Sequence, residues 1–173
     1  MINEKVQNAM NEQIKNEFYS AYLYLSMAAY FHRIGFDGMA QWMRVQAMEE
    51  QVHAMKLFDH INDREGNVQL LALEQPPVEW ASPLDAWKAA YKHEQFVTGT
   101  INSLMKLAHE TGDYAAMPLL NWFVDEQIEE EASTAKPVQE LEMLGKDGNG
   151  LLMLDREMGT RTFIMPPQGG KGE

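Results

Sequence analysis

Glutamates and a histidine recur along this chain at positions where they can share metal ions. Glu17, the run Glu49-Glu50-Gln51-Val52-His53, Glu94 and the run Glu126-Gln127-Ile128-Glu129-Glu130 each fall on an apolar stripe of helical spacing. Glu50 and His53 are three residues apart, so a helix presents both on one face and both can reach one ion. A carboxylate facing the interior of a protein is costly unless something cancels its charge, and a metal ion does that. Carboxylates with an imidazole suit a borderline-hard ion: iron first, with manganese or zinc as alternatives. Glu17 can bridge two ions through its two oxygens. Glu50 and His53 then complete one position, and Glu94 and Glu130 complete the other. Glu49, Glu126 and Glu129 exceed the needs of a pair, so they mark either a third ion position or a path carrying ions away.

Three further side chains border the cluster in sequence. Tyr24 follows Glu17 by two helical turns on the same face, where it can hydrogen bond to a ligand or take part in electron transfer. A core tyrosine with a satisfied hydroxyl explains it equally well. Gln127 adjoins Glu126 and can hold water or an oxygen species. Trp122, one turn before Glu126, can report on the site or donate an electron, although most such tryptophans only pack. Any one of these acids alone is an ordinary solvated glutamate. The argument rests on an acid at similar depth on the apolar stripe of every long helix.

Those helices follow from spacing and punctuation. The first is predicted from about Asn3 to Arg33, with the stripe Ile14, Glu17, Ala21, Tyr24, Ala28, Phe31 and a stop at Gly35. Asp37 is the expected cap of the second, which runs to about Glu65 with the stripe Ala40, Met43, Ala47, Glu50, Ala54, Leu57, Ile61. Residues 66–83 carry Gly66, Pro76, Pro77 and Pro83 and no helical period. So long a connection needs a reason, and a crossover along the bundle supplies one. Ser82 caps the third helix, with Pro83 at its first position, Leu84, Trp87, Tyr91, Glu94, Thr98, Ile101 on its stripe and Gly112 at its end. Asp113 is the expected cap of the fourth, whose stripe is Ala116, Leu119, Phe123, Glu126, Glu130, Ser133. Pro137 should kink or end that helix, because it removes a backbone bond and clashes with the carbonyl of Ser133. A short fifth helix is expected over about Gly150 to Met158, then a mobile Gly- and Pro-rich tail over 159–173. The fold class is all-α: an antiparallel four-helix bundle with a long crossover, in one domain of residues 1–158.

Composition narrows the partners. The 173 residues fit a single domain, and 26 acidic against 14 basic residues give a formal charge of -12. Such a chain repels nucleic-acid phosphates and anionic membranes and attracts cations. With no cysteine there is no disulfide, thiolate zinc site, iron–sulfur cluster or thiol nucleophile. The polar start Met1-Ile2-Asn3-Glu4-Lys5 has no apolar signal core, and no apolar run is long enough to span a membrane, so the expected location is the cytoplasm.

The chain resembles the bacterial non-haem ferritins from about Met1 to Met158. The resemblance is carried by Asn16-Glu17-Phe18-Tyr19-Ser20-Ala21-Tyr22-Leu23-Tyr24-Leu25, by Glu49-Glu50-Gln51-Val52-His53-Ala54, and by the stretch Asn121 to Glu131. It implies a ferritin-like bundle and ferroxidase ligands at Glu17, Glu50, His53, Glu94 and Glu130. It places a third site at Glu49, Glu126 and Glu129 with Glu130 shared, and Tyr24 and Gln127 as helpers. It implies a hollow shell of twenty-four copies in which iron(II) is oxidised in pairs by dioxygen or hydrogen peroxide and stored as ferric mineral. The fifth helix would line a four-fold channel, and Val68 to Leu73 would meet its copy at a two-fold interface. Haem-binding relatives carry a Met where this chain has Gln51, and a second Glu-x-x-His where it has Gln127-Ile128-Glu129-Glu130, so the resemblance argues against haem. The rival reading is a discrete di-iron redox enzyme such as a rubrerythrin-like peroxidase, which normally carries a cysteine-ligated iron that this chain cannot build. A helical interaction protein with fortuitous acids is the third, and predicts no stoichiometric iron binding.

Overall fold

A computed structural model of the chain describes residues 1–145 and 147–165. Among the described residues there are five α-helices: α1 (Glu4–Arg33), α2 (Asp37–Asp63), α3 (Pro83–Glu110), α4 (Met117–Leu144) and α5 (Gly148–Met158). Among the described residues there is no strand. α1 packs on α2 and α3 on α4, and the two hairpins meet through α1 and α3. This is the expected bundle, with the expected short fifth helix.

The crossover connects α2 to α3 along α1. Asn67 N donates to Gln7 Oε1 at 2.8 Å and Gln69 N to Asn11 Oδ1 at 3.0 Å near the start of α1. Farther along, Ser26 Oγ donates to the Pro77 carbonyl at 2.6 Å and Arg33 Nη2 to the Val78 carbonyl at 3.2 Å. The segment therefore runs nearly the whole length of the first helix, and α1 side chains satisfy its backbone.

Several boundaries differ from expectation. Asp37 is the first residue of α2 rather than its cap; the cap position is Phe36, whose side chain makes no capping bond. Asp37 instead lies 2.7 Å from His32 Nδ1. A first-turn amide of α2, Met39 N, is satisfied from afar by Asp155 Oδ1 of α5 at 2.8 Å. Gly38 makes this docking possible, since a Cβ there would lie 1.6 Å from the Asp155 carbonyl oxygen. α2 ends at Asp63, two residues early, and Glu65 turns out of it with φ 56°.

Ser82 caps α3 as expected: its hydroxyl accepts from Asp85 N at 3.2 Å. Asp113 does not cap α4. It accepts from Asn3 N at 3.1 Å and pairs with Arg64 Nη2 at 2.7 Å, while a 3-10 turn at Tyr114–Ala116 leads into α4. These two bonds hold together the start of α1, the end of α2 and the end of α3. α4 runs through the buried Pro137 to Leu144, so it does not end early. α5 starts at Gly148, before the expected Gly150. The tail prolines and glycines, Pro166 to Gly172, lie outside the described residues.

The core has two parts. At one end of the bundle Met27, Phe31, Met39, Met43 and Trp87 pack with Leu154 and Met158 of α5. At the other, Met10, Ile14, Leu57, Ile61, Ile101 and Phe123 pack together. Between them lies a buried polar layer: Glu17, Glu50, His53, Glu94, Gln127 and Glu130, each at most 5 % exposed. Apolar packing on both sides of this layer holds the acids where water cannot reach them.

Candidate metal centre

The polar layer contains three groups of ligand atoms, each lying within 4.8 Å of one another: Glu17, Glu50 and His53; Glu50, Glu94 and Glu130; and His53, Glu126 and Glu130. α1, α2, α3 and α4 all contribute, as the stripes require. Glu50 belongs to the first two groups and Glu17 only to the first. The carboxylate common to both groups is Glu50, whereas Glu17, expected in that role, joins only the first.

His53 stands at the middle of the set. Its Nδ1 is 3.4 Å from Glu50 Oε2 and 4.0 Å from Glu17 Oε2, and its Nε2 is 3.7 Å from Glu126 Oε1. The Trp122 ring meets the imidazole edge-on, with centroids 5.4 Å apart. Burial opposes a charge on His53, but Glu126 and Glu50 outweigh it and hold the ring's pKa well above its usual value.

The acids carry the strain of burial. Desolvation, then the neighbouring Glu50 charge, push the Glu17 and Glu130 carboxyls up to about 8. Burial and the same neighbours hold Glu94 well above the carboxylate range. Glu50 goes the other way: burial raises it, but hydrogen bonding to His53 and the His53 charge bring it below its ordinary value. Glu17 Oε2 is buried and has no hydrogen-bond partner. Converging buried carboxylates, held partly protonated and including an orphaned oxygen, fit a divalent cation that would replace the protons.

Neutral side chains orient these acids. Gln13 Nε2 donates to Glu17 Oε1 at 2.8 Å, one turn away on α1. Gln46 Nε2 donates both to Glu50 Oε1 and, across the bundle, to Glu130 Oε2. Tyr24 Oη donates to Glu94 Oε1. Gln127 Nε2 is 3.3 Å from Glu94 Oε2 and from Thr98 Oγ1. Sequence reasoning placed Tyr24 and Gln127 beside the cluster but missed Gln13 and Gln46. A glutamine four residues before each of Glu17 and Glu50 was the available signal.

The surplus acids divide. Glu126 joins His53 and Glu130. Glu49 is partly buried at the rim and pairs with Arg161. Glu129 is exposed and belongs to none of the three groups.

This geometry agrees with comparisons to known proteins. A family described as a ferritin-like domain matches residues 7–144. A bacterial non-heme ferritin of Staphylococcus aureus (strain MRSA252) is 36% identical over 163 residues, spanning 94% of this chain and 98% of its own. One from Staphylococcus saprophyticus is 37% identical over the same span. Among solved structures, an open-pore ferritin of the hyperthermophilic archaeon Archaeoglobus fulgidus superposes with a TM-score of 0.93 at 49% identity, covering 94% of this chain and 100% of that one. An engineered closed form of that ferritin gives 0.94 at 49% identity, covering 95% and 100%. No helix among the described residues is long and apolar enough to cross a membrane.

Proposed function

The chain belongs to the ferritin family, and we propose that it oxidises iron(II) in pairs and stores the ferric product inside a shell of twenty-four copies in the cytoplasm. The observation that carries this reading is the pair of buried ligand groups joined at Glu50. Glu17, Glu50 and His53 bind one iron(II), and Glu50, Glu94 and Glu130 bind the other. Iron is the substrate here and leaves the site as cargo.

Pairing matters because each iron(II) gives up one electron. Two together reduce dioxygen to hydrogen peroxide with two protons, or reduce hydrogen peroxide to two waters with two protons. A single ion would deliver one electron and leave a radical. Holding both ions in one dry layer supplies proximity and orientation. The carboxylates stabilise iron(III) over iron(II) by their negative charge. Displacement of protons from Glu17 and Glu130 on binding leaves an anionic cradle, while Gln13 and Gln46 keep its oxygens aimed inward.

Glu126 extends this cradle to a third position shared with His53 and Glu130, and Glu49, at the rim beside Glu50, would join it once an ion is held there. Product leaving the pair would pass there. Glu129, on the exposed side, would act after that position rather than in it.

Aerobic loading of metal-free protein with a large molar excess of iron(II), followed by size-exclusion chromatography with iron detection, tests the whole reading. Hundreds of irons per particle should co-elute with a shell-sized species. About two irons per chain on a small species, with the remainder precipitating, would favour the discrete di-iron enzyme instead.

A further inference from the structure

One fixed cation reaches the rim of the metal layer. Arg161 lies past the end of α5 and folds back over α2. Its guanidinium sits 4.1 Å from the centre of the Trp42 ring, and its carbonyl accepts from Gln41 Nε2 at 3.4 Å. Its Nη2 donates to Glu49 Oε2, and its Nη1 is buried with no hydrogen-bond partner. Both side chains are three-quarters buried, at 23 % and 25 % exposed. Glu49 adjoins the ligand Glu50 and feels the charges of His53, Glu50 and Glu126, while Glu130 feels Glu49 in turn.

We propose that Arg161 is a tethered cation that occupies the Glu49 carboxylate until a third metal ion displaces it, and so sets how tightly the centre holds ions beyond the first pair. This rests on the third-position reading above. A guanidinium stays charged at every physiological pH and its planar fork matches a carboxylate, so it offers Glu49 what an ion would. Trp42 and Gln41 also touch Arg161, so the Glu49 contact is not its sole anchor. None of the three ligand groups contains an atom of Glu49, which Arg161 holds at the rim, so the pair fills with Arg161 in place. A third ion at Glu49 must lift the guanidinium off the carboxylate and disturb its stacking on Trp42.

Anaerobic cobalt(II) titration of the assembled, metal-free protein tests this. In Arg161→Gln the first two equivalents per chain should bind as in wild type, and the third about tenfold tighter or more, as expected for losing a competing charged hydrogen bond. Arg161→Lys, which keeps the charge but loses the fork and the stacking on Trp42, should fall between wild type and Arg161→Gln. In a Trp122→Phe background with Arg161 intact, the third equivalent should change tryptophan emission, and adding Trp42→Phe should abolish that change. An unchanged or weaker third equivalent in Arg161→Gln overturns the proposal. So does the lack of any emission change as it binds, a result independent of how well Arg161→Gln folds. Glu49→Gln separates the two levels. If it leaves the third equivalent intact, Glu49 is no part of the third position, which then stands on His53, Glu126 and Glu130 alone, and Arg161 guards no metal.

Discussion

Gln46 Nε2 lies 3.0 Å from Glu50 Oε1 on its own helix and 2.7 Å from Glu130 Oε2 on α4. One amide thus fixes two carboxylates that start 80 residues apart in sequence. Gln46→Leu keeps the volume and removes both bonds. Cobalt(II) affinity of the pair should fall by about tenfold to a hundredfold, the usual effect of losing an orienting partner of a metal ligand. Unchanged affinity would show that apolar packing alone aims Glu130.

The ligands themselves should matter more. His53→Ala and Glu50→Ala should each slow the fast phase of iron(II) oxidation by about a hundredfold or more, ~2.7 kcal/mol of barrier, in stopped-flow absorbance. Both variants should still assemble, because the two apolar clusters flank the layer without drawing on it. Fast oxidation at the wild-type rate would remove them from the pair.

Acidity gives an independent handle. Glu17 and Glu130 are raised in the folded, metal-free protein to about 8, above the ordinary value of 4.5. The folded state therefore binds protons more tightly than the unfolded chain. The stabilisation is full below about 4.5 and is lost as pH rises through about 8. Glu130→Gln cannot ionise, so its advantage in Tm over wild type should be small at pH 5 and grow to pH 8.5. A gain of about 2 kcal/mol there corresponds to roughly 4–8 °C in calorimetry. For the same reason, metal affinity should rise with pH up to about 8, and binding at pH 7 should release protons into a weakly buffered solution. A pH-independent difference in Tm would contradict the protonated layer.

Tyr24 supports Glu94, a ligand in the function proposed above. Its buried hydroxyl donates to Glu94, and burial with the nearby acids keeps it protonated. Tyr24→Phe should preserve two ions per chain and slow oxidation by roughly threefold to tenfold, in line with ~1 kcal/mol for one hydrogen bond. Loss of an ion on titration would instead make the Tyr24 contact essential for binding.

Away from the metals, Gly38 is the tightest test of the docking of α5. A methyl group there would collide with the backbone of Asp155. Gly38→Ala should destabilise by about 3 kcal/mol, the upper range for overpacking. It should also free the Met39 amide from its distant cap. Faster amide exchange at Met39 would report the second effect.

The legible parts of this molecule were the local ones. Periods of three and four placed the long helices within a few residues, and Glu50-x-x-His53 pointed both side chains into the layer. Ser82 and Pro83 act on their own helix and were read correctly. Asp37 and Asp113 were not, because the partners that decide their roles lie elsewhere in the chain. Asp155 does the work at the start of α2, and Arg64 and Asn3 draw Asp113 away from α4. Arg161 escaped for the same reason: it sits in a stretch without period, and only folding brings it to Glu49. Which carboxylate the two groups have in common likewise depends on how the helices stand around the layer, which spacing along one helix does not contain.

The two ligand groups differ in how much chain they need. Glu17, Glu50 and His53 come from α1 and α2 alone, whereas Glu50, Glu94 and Glu130 draw on α2, α3 and α4. A polypeptide leaving the ribosome N-terminus first completes the former with its opening hairpin and the latter only once Glu130 has emerged. Under the function proposed above, paired oxidation needs both groups, so redox chemistry would wait until Glu130 has left the ribosome, long after the opening hairpin is made.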